Sequence, residues 1–325
     1  MSRVRVPLAV LGVTALALAC VPGAAAAGDR AAPTDPGPLY SMVKDRDTRL
    51  QLQVFGRPDG RDMLYRISGA VYANAPGDTL APKLRHGTRL FGFEGYNIRR
   101  LWREPGTNKL YALTREVVFY TDPKDPTKIL REWTNPLDGK TYPVVPVNNL
   151  NVDFGPFPIT PDFRLGPLNQ VQRNLVQVSD IPPRTDLKAR TGDEFGLADG
   201  VYTAMEMFDF YIDEHEAAKR SHGVPHGALE VSNSWVRSSP FPPFMCVAEK
   251  DVRANALYHA RSWTLNSWNE LEPFIKDEVE RSYPAYKKAP DAPAPSESSW
   301  TSFWRDQLGS GALTWTDWCA RNGRG

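Results

Sequence analysis

The chain has little of what most recognisable chemistries require. Three cysteines and five histidines occur in 325 residues, and no C-x-x-C pair, G-x-S-x-G elbow, P-loop or dinucleotide glycine fingerprint is present. These gaps exclude a dithiol redox site, a serine-hydrolase elbow and the usual nucleotide cradles, and the expectation is that no cofactor binds. Neither charge prevails: 39 Lys and Arg stand against 38 Asp and Glu, without a long basic run. Nucleic acid is therefore not expected as a partner, nor a polybasic membrane contact. Past residue 27 no apolar run is long enough to span a bilayer. Strand–helix–strand alternation is also missing, which argues against a Rossmann or flavodoxin arrangement.

Residues 1–27 read as an export signal. Arg3 and Arg5 form a short positive region, residues 8–19 are apolar, and Ala25-Ala26-Ala27 offers small residues at a cleavage site before Gly28-Asp29-Arg30. The expected location is outside the cytoplasm, secreted or periplasmic, where ATP and NAD are not freely supplied. A second reading is a lipoprotein. Leu16-Ala17-Leu18-Ala19-Cys20 resembles a lipobox, with Ala17 at the position where a larger aliphatic residue is usual. Without the leader, the chain is long enough for one large domain or two small ones.

Proline (29) and glycine (24) are plentiful and clustered. Residues 28–44 read as a proline-rich linker, residues 154–190 as an irregular excursion outside the core, and Pro240, Pro242 and Pro243 as a rigid turn. Cys246 and Cys319 remain after cleavage. In an oxidising compartment they are either one disulfide or two separate thiols.

Between these segments the pattern is short apolar-alternating runs separated by turn residues: 50–55, 63–72, 88–93, 96–103, 110–120, 129–133, 141–147, 201–212, 229–236 and 256–263. Gly92 and Gly95 are the expected bulges. One helix is expected over 273–282, with Pro273 in its first turn and Ile275 and Val279 on one face. The expected fold is mainly β with a few short helices: a single antiparallel β-barrel or strongly curled sheet, lipocalin-like in general shape, occupying 45–290. Residues 291–325 form a tail rich in tryptophan (Trp300, Trp304, Trp315, Trp318), expected to be ordered and packed.

Charges embedded in apolar strand faces are the chemical candidates. Arg100 shares a two-residue period with Tyr96, Ile98 and Trp102. Arg115 does so with Tyr111, Leu113, Val117 and Phe119, and Glu206 with Phe208, Phe210 and Ile212. A buried charge is costly unless paired. Such residues either fasten strands together as ion pairs or form the polar base of an aromatic pocket. In the second case Glu206, Arg100 and Arg115 are the catalytic candidates, and Arg66, Tyr72, Asn97, Trp133, Trp235 and Arg237 the ligand-binding ones. His215-Glu216-Ala217-Ala218-Lys219 lacks the second histidine of the zinc helix H-E-x-x-H. No metal is expected, and His215, His222 and His226 are the candidates if one binds.

Four ordered blocks carry a resemblance. They are Gly92-Phe93-Glu94-Gly95-Tyr96-Asn97-Ile98-Arg99-Arg100; Glu132-Trp133-Thr134-Asn135-Pro136-Leu137-Asp138-Gly139; Ser234-Trp235-Val236-Arg237 with Pro240-Phe241-Pro242-Pro243-Phe244-Met245; and Tyr283-Pro284 with Ser299-Trp300-Thr301. Over residues 45–303 the chain resembles a bacterial and fungal family, the domain of unknown function eighteen-thirty-eight. The resemblance implies a single domain and no established activity. It also implies a histidine where this chain has Pro146, and an Asp-Pro where it has Asn149-Leu150.

Three functions are compatible with these features. The first is an exported protein that binds a small apolar or aromatic molecule in a barrel pocket. The second is a cofactor-independent isomerase, cyclase or lyase with Arg66, Arg100 or Arg115 as electrophile and Glu206 as acid–base. The third is an envelope protein that docks through its tryptophan tail. The leader reading is directly testable: N-terminal sequencing of exported material is expected to start at Gly28, and a lipidated Cys20 at the terminus would establish the anchored form instead.

Overall fold

In a computed structural model that describes residues 40–75, 85–165, 169–172, 204–212, 229–247, 254–309 and 313–325, the alternating runs become strands of one antiparallel sheet. All of these residues belong to the unit Pro33–Gly325. Three long strands lead: β1 (Met63–Asn74), β2 (Arg89–Arg103) and β3 (Lys109–Thr121). The short β4 (Glu132–Thr134) and β5 (Thr141–Pro143) form a separate two-stranded sheet, and Thr141 also bridges to Arg324. Next come β6 (Val147–Asn149), β7 (Phe154–Pro158), β8 (Asn169–Gln172), β9 (Met205–Ile212), β10 (Val231–Ser239) and β11 (Asn255–Leu265).

The strand order is β6-β3-β2-β1-β11-β10-β9-β8, with β7 added beside β3. It is an open path, and no described strand joins its two ends. The expected barrel or strongly curled sheet is therefore not formed. Turn chemistry and alternation fix which strands are neighbours, but closure also needs a matching stagger and a final pair of strands long enough to hold it. Here one edge of β3 is shared between two short strands, β6 beside Glu116–Val118 and β7 beside Lys109–Ala112, and the other end is the four-residue β8.

Three further expectations change. Residues 50–55 lie in a helix, α1 (Arg46–Phe55), because Asp45 caps it: its carboxylate accepts from the Thr48 backbone N–H at 2.9 Å. Residues 89–103 form one continuous strand without bulges at Gly92 or Gly95. The register shift falls instead between Val71 and Tyr72 on β1. Gly95 is where two strands run close, since a Cβ there would lie 2.2 Å from the Val117 carbonyl oxygen. The expected excursion 154–190 contributes two strands, β7 and β8, to the sheet. The export signal, all of the linker but residues 40–44, and His215, His222 and His226 lie outside the described residues.

Each face of the sheet has its own cover. Helix α2 (Pro273–Ser282) begins with Pro273 and turns Ile275 and Val279 onto Leu64, Tyr96, Ile98, Val117, Phe119 and Leu265. On the opposite face, α1 packs Val54 near Met63 and Tyr65 at one end. Helices α3 (Ser299–Phe303) and α4 (Trp315–Asn322) cover the other end, against Val71, Phe91, Phe93 and Tyr120. Trp300, Trp304, Trp315 and Trp318 are all at most 5% exposed, so the tryptophan tail is core. The Trp315 indole donates to the Pro243 carbonyl at 2.8 Å.

A disulfide between Cys246 and Cys319 ties the proline turn to α4. The cysteines are 73 residues apart, and cross-linking a loop of that length removes about 4 kcal/mol of unfolded-state entropy. The double variant Cys246→Ser, Cys319→Ser is expected to lose stability of that order in urea unfolding. An unchanged midpoint would show that α4 is held by packing alone.

Candidate functional site

The pleat divides the sequence-predicted residues between the two faces. On β1, Leu64, Arg66, Ser68 and Tyr72 point one way, and Met63, Tyr65, Ile67 and Val71 the other. Cross-strand pairing carries this division through the sheet. Arg66 pairs with Tyr96, and Ile98 pairs with Arg115, which places Arg66, Arg100 and Arg115 on the face covered by α2.

On that face the arginines are structural. Arg66 Nη2 reaches Glu94 Oε2 at 2.5 Å and its Nε reaches Glu272 Oε2 at 2.7 Å, while Nη1 donates to the carbonyls of Ile67 and Gly95. Ser68 donates to the other Glu94 oxygen at 2.9 Å. Arg100 Nε meets Asp62 Oδ1 at 2.7 Å, and its Nη1 meets Asp291 Oδ1 at 3.4 Å. Arg115 is half-buried and donates to the backbone carbonyls of Ala285 and Lys288, at 2.5 and 3.1 Å, beyond the end of α2. These contacts pin the helical cover to the sheet. Tyr72 is half-buried on the same face. Trp133 lies elsewhere, on β4, with its ring 6.0 Å from Phe91.

The other face holds a cavity of about 240 Å³ between its two helical covers, larger than the ~150 Å³ space that admits benzene. Four sequence-predicted residues line it: Asn97, Glu206, Trp235 and Arg237. Register brings them together, since Arg237 pairs with Glu206, Trp235 with Phe208 and Asn97 with Glu116. Ala260 lines the cavity with only a methyl group. The walls are aromatic. Trp235 stacks on Phe93 with centroids 6.0 Å apart, Phe208 and Phe210 lie parallel at 6.0 Å, and Phe55 and Phe154 close the side toward α1 at 5.7 Å.

Polar groups form the remainder. Arg237 Nη1 lies 3.2 Å from Glu206 Oε1. Asn149 Nδ2 donates to Glu116 Oε1 at 3.3 Å. Arg99 is buried, with its guanidinium 4.6 Å from the Tyr65 ring centroid and 5.0 Å from that of Phe154, and its Nε donates to Asn97 Oδ1 at 2.9 Å. Glu116 is pushed above the ordinary glutamate range. Burial is the main cause and the Glu206 charge adds to it, while Arg237 and Arg99 pull the other way without cancelling it. Such a carboxyl keeps its proton to higher pH than an ordinary glutamate and can give or take one inside the cavity. Among the described residues no group of three or more His, Cys, Asp or Glu side chains is placed to hold a metal ion.

Sequence reasoning missed Arg99, Glu116, Asn149 and Asn233, all of which line the cavity. Strand β2 is buried on both faces from Leu90 to Leu101, so burial alone does not separate the face of Arg99 from that of Arg100. The usable signal was Asn97 sharing a face with Arg99, a polar pair where the opposite face carries Tyr96 and Ile98.

The raised Glu116 gives a signed pH effect. Above the ordinary glutamate pKa the unfolded chain ionises at this position while the native state keeps its proton. Stability therefore falls as pH rises toward the native pKa, and changes no further beyond it. Burial raises Glu94 and Asp153 as well, so the test is a difference. Glu116→Gln is expected to match the wild type in acid and to gain on it steadily above the ordinary glutamate range, in urea titrations at stepped pH. A wild type that gained on the variant over that interval would contradict the assignment.

The chain was compared with known proteins. No curated protein and no solved structure shows significant similarity to it. The profile of a family described as "Protein of unknown function (DUF1838)" matches residues 60–307. That span includes β1 to β11, α2 and α3, and so both faces of the sheet and every cavity strand. The chain is a member of the DUF1838 family.

Proposed function

We propose that this is an exported protein that binds a small aromatic molecule in the cavity on the α1 side of the sheet. One observation carries the reading: stacked aromatic walls enclose a compact set of polar side chains that includes Arg99, a buried guanidinium whose Nη1 has no hydrogen-bond partner. The ion pairs that join the α2 cover to the sheet all lie on the other face. Small-molecule sites characteristically combine apolar walls with a few placed polar groups. The leader, the near-neutral charge and the missing nucleotide motifs agree with a container working outside the cytoplasm.

The Glu116 carboxyl supports a second reading, a cofactor-independent isomerase, cyclase or lyase in the same cavity. Arg99 and Arg237 then take the electrophilic role expected of Arg66, Arg100 and Arg115, which lie on the wrong face. Glu116 or Glu206 moves the proton.

Binding is tested with cinnamate and cinnamamide, planar molecules small enough for the cavity, followed by tryptophan fluorescence. At least one is expected to bind saturably. Ala260→Leu, which projects a side chain into the space, is expected to weaken that binding at least about ten-fold, a loss of about 1.4 kcal/mol, while the protein stays folded. Absence of saturable binding by either probe, or binding indifferent to Ala260→Leu, would overturn the cavity reading.

A further inference from the structure

The polar groups of the cavity are unequally satisfied. Arg237 is engaged by Glu206. Arg99 is 8% exposed, lines the cavity and has no carboxylate in salt-bridge contact among the described residues. Its Nε is used by Asn97, but Nη1 is buried and lacks any hydrogen-bond partner. The Tyr65 and Phe154 rings hold the guanidinium in place, so it is a fixed, water-poor cation with an unused donor. Buried arginine is costly without a partner, and native proteins leave few such donors unmatched. Arg66 and Arg100, equally buried, each have two carboxylates. Two acceptors in the same lining, Asn149 Oδ1 and Asn233 Oδ1, also lack partners.

Resting on the cavity reading above, we propose that the ligand is a planar aromatic acid, a monoanion whose carboxylate is taken by Arg99. The charges agree. Arg237 and Glu206 offset each other, while Arg99 has no carboxylate in contact among the described residues and keeps its positive charge unmatched. A single carboxylate balances it and supplies the acceptor that Nη1 lacks, a charge-assisted contact that a planar guanidinium makes better than an ammonium. The ring of the acid lies along the wall made by Phe93 and Trp235. A hydroxyl or N–H elsewhere on the ligand would meet the two asparagine carbonyls.

The experiment compares cinnamate with cinnamamide, which share shape and differ in charge. Cinnamate is expected to bind the wild type at least about ten-fold more tightly than the amide, the scale of a charge-assisted hydrogen bond. Arg99→Gln is expected to remove that preference by weakening cinnamate more than cinnamamide. Should Arg99→Gln fail to fold, Arg99→Lys serves: it keeps the charge, loses the fork and should recover only part of the preference. Equal binding of acid and amide to the wild type, or a preference that survives Arg99→Gln, overturns the assignment to Arg99 and leaves the cavity reading standing. If neither probe binds at all, the cavity reading falls and this inference with it.

Discussion

The register that β1 shares with β2 and β11 is the constraint on which the rest depends. A pleated strand sends successive side chains to opposite faces, and a shift by one residue would exchange the two sets throughout the sheet. Because Tyr65 pairs with Asn97 and Arg66 with Tyr96, every basic residue on β2 is committed to one side. Arg100 goes to the face where Asp62 and Asp291 wait, and Arg99 to the face where no described carboxylate contacts it. Adjacent residues of one chemical type thereby acquire different surroundings: one fastens the fold through two carboxylates, and the other meets aromatic rings and Asn97.

The covers complete the division. Helix α2 lies on an apolar patch and is fixed at its start by Glu272 on Arg66; the segment after its end is fixed by Arg115 on two carbonyls. On the opposite face the covering elements come from the two ends of the described chain, α1 from one and α3 with α4 from the other. Ala260 presents only a methyl group to the space they leave. The cavity is the gap between them. The disulfide and the four buried tryptophans fasten the α3–α4 cover, and the Tyr65 hydroxyl bonded to the Val54 carbonyl at 2.7 Å fastens α1.

Much of this is legible in the sequence. The alternation on β1, the helix over 273–282 and the placement of Glu206, Trp235 and Arg237 along their strands follow from two-residue and helical periods that survive into the structure. What failed did so for identifiable reasons. Local turn chemistry says nothing of whether the first and last strands meet, so an open sheet was read as a closed one. The alternation Leu50-Gln51-Leu52-Gln53-Val54 imitates a strand, but Asp45 and Thr48 make a helix start, and Leu52 and Val54 find burial there. On a strand buried on both sides, apolar neighbours do not single out the arginine that faces a cavity. That choice rests on partners more than a hundred residues away, such as Asp291 for Arg100, and no local pattern contains them.

The central claim is that buried arginines on the two faces do different work. Urea unfolding of Arg66→Met and Arg99→Met tests it without knowledge of any ligand. Removing Arg66 strands Glu94 in the interior, and breaking a buried pair in this way costs about 3–5 kcal/mol. Removing Arg99 strands no carboxylate and relieves a buried charge, so Arg99→Met is expected to change stability by about 1 kcal/mol or less, or to raise it. Equal, large losses in both variants would contradict the account, because they would make Arg99 a fastening of the fold like its neighbour.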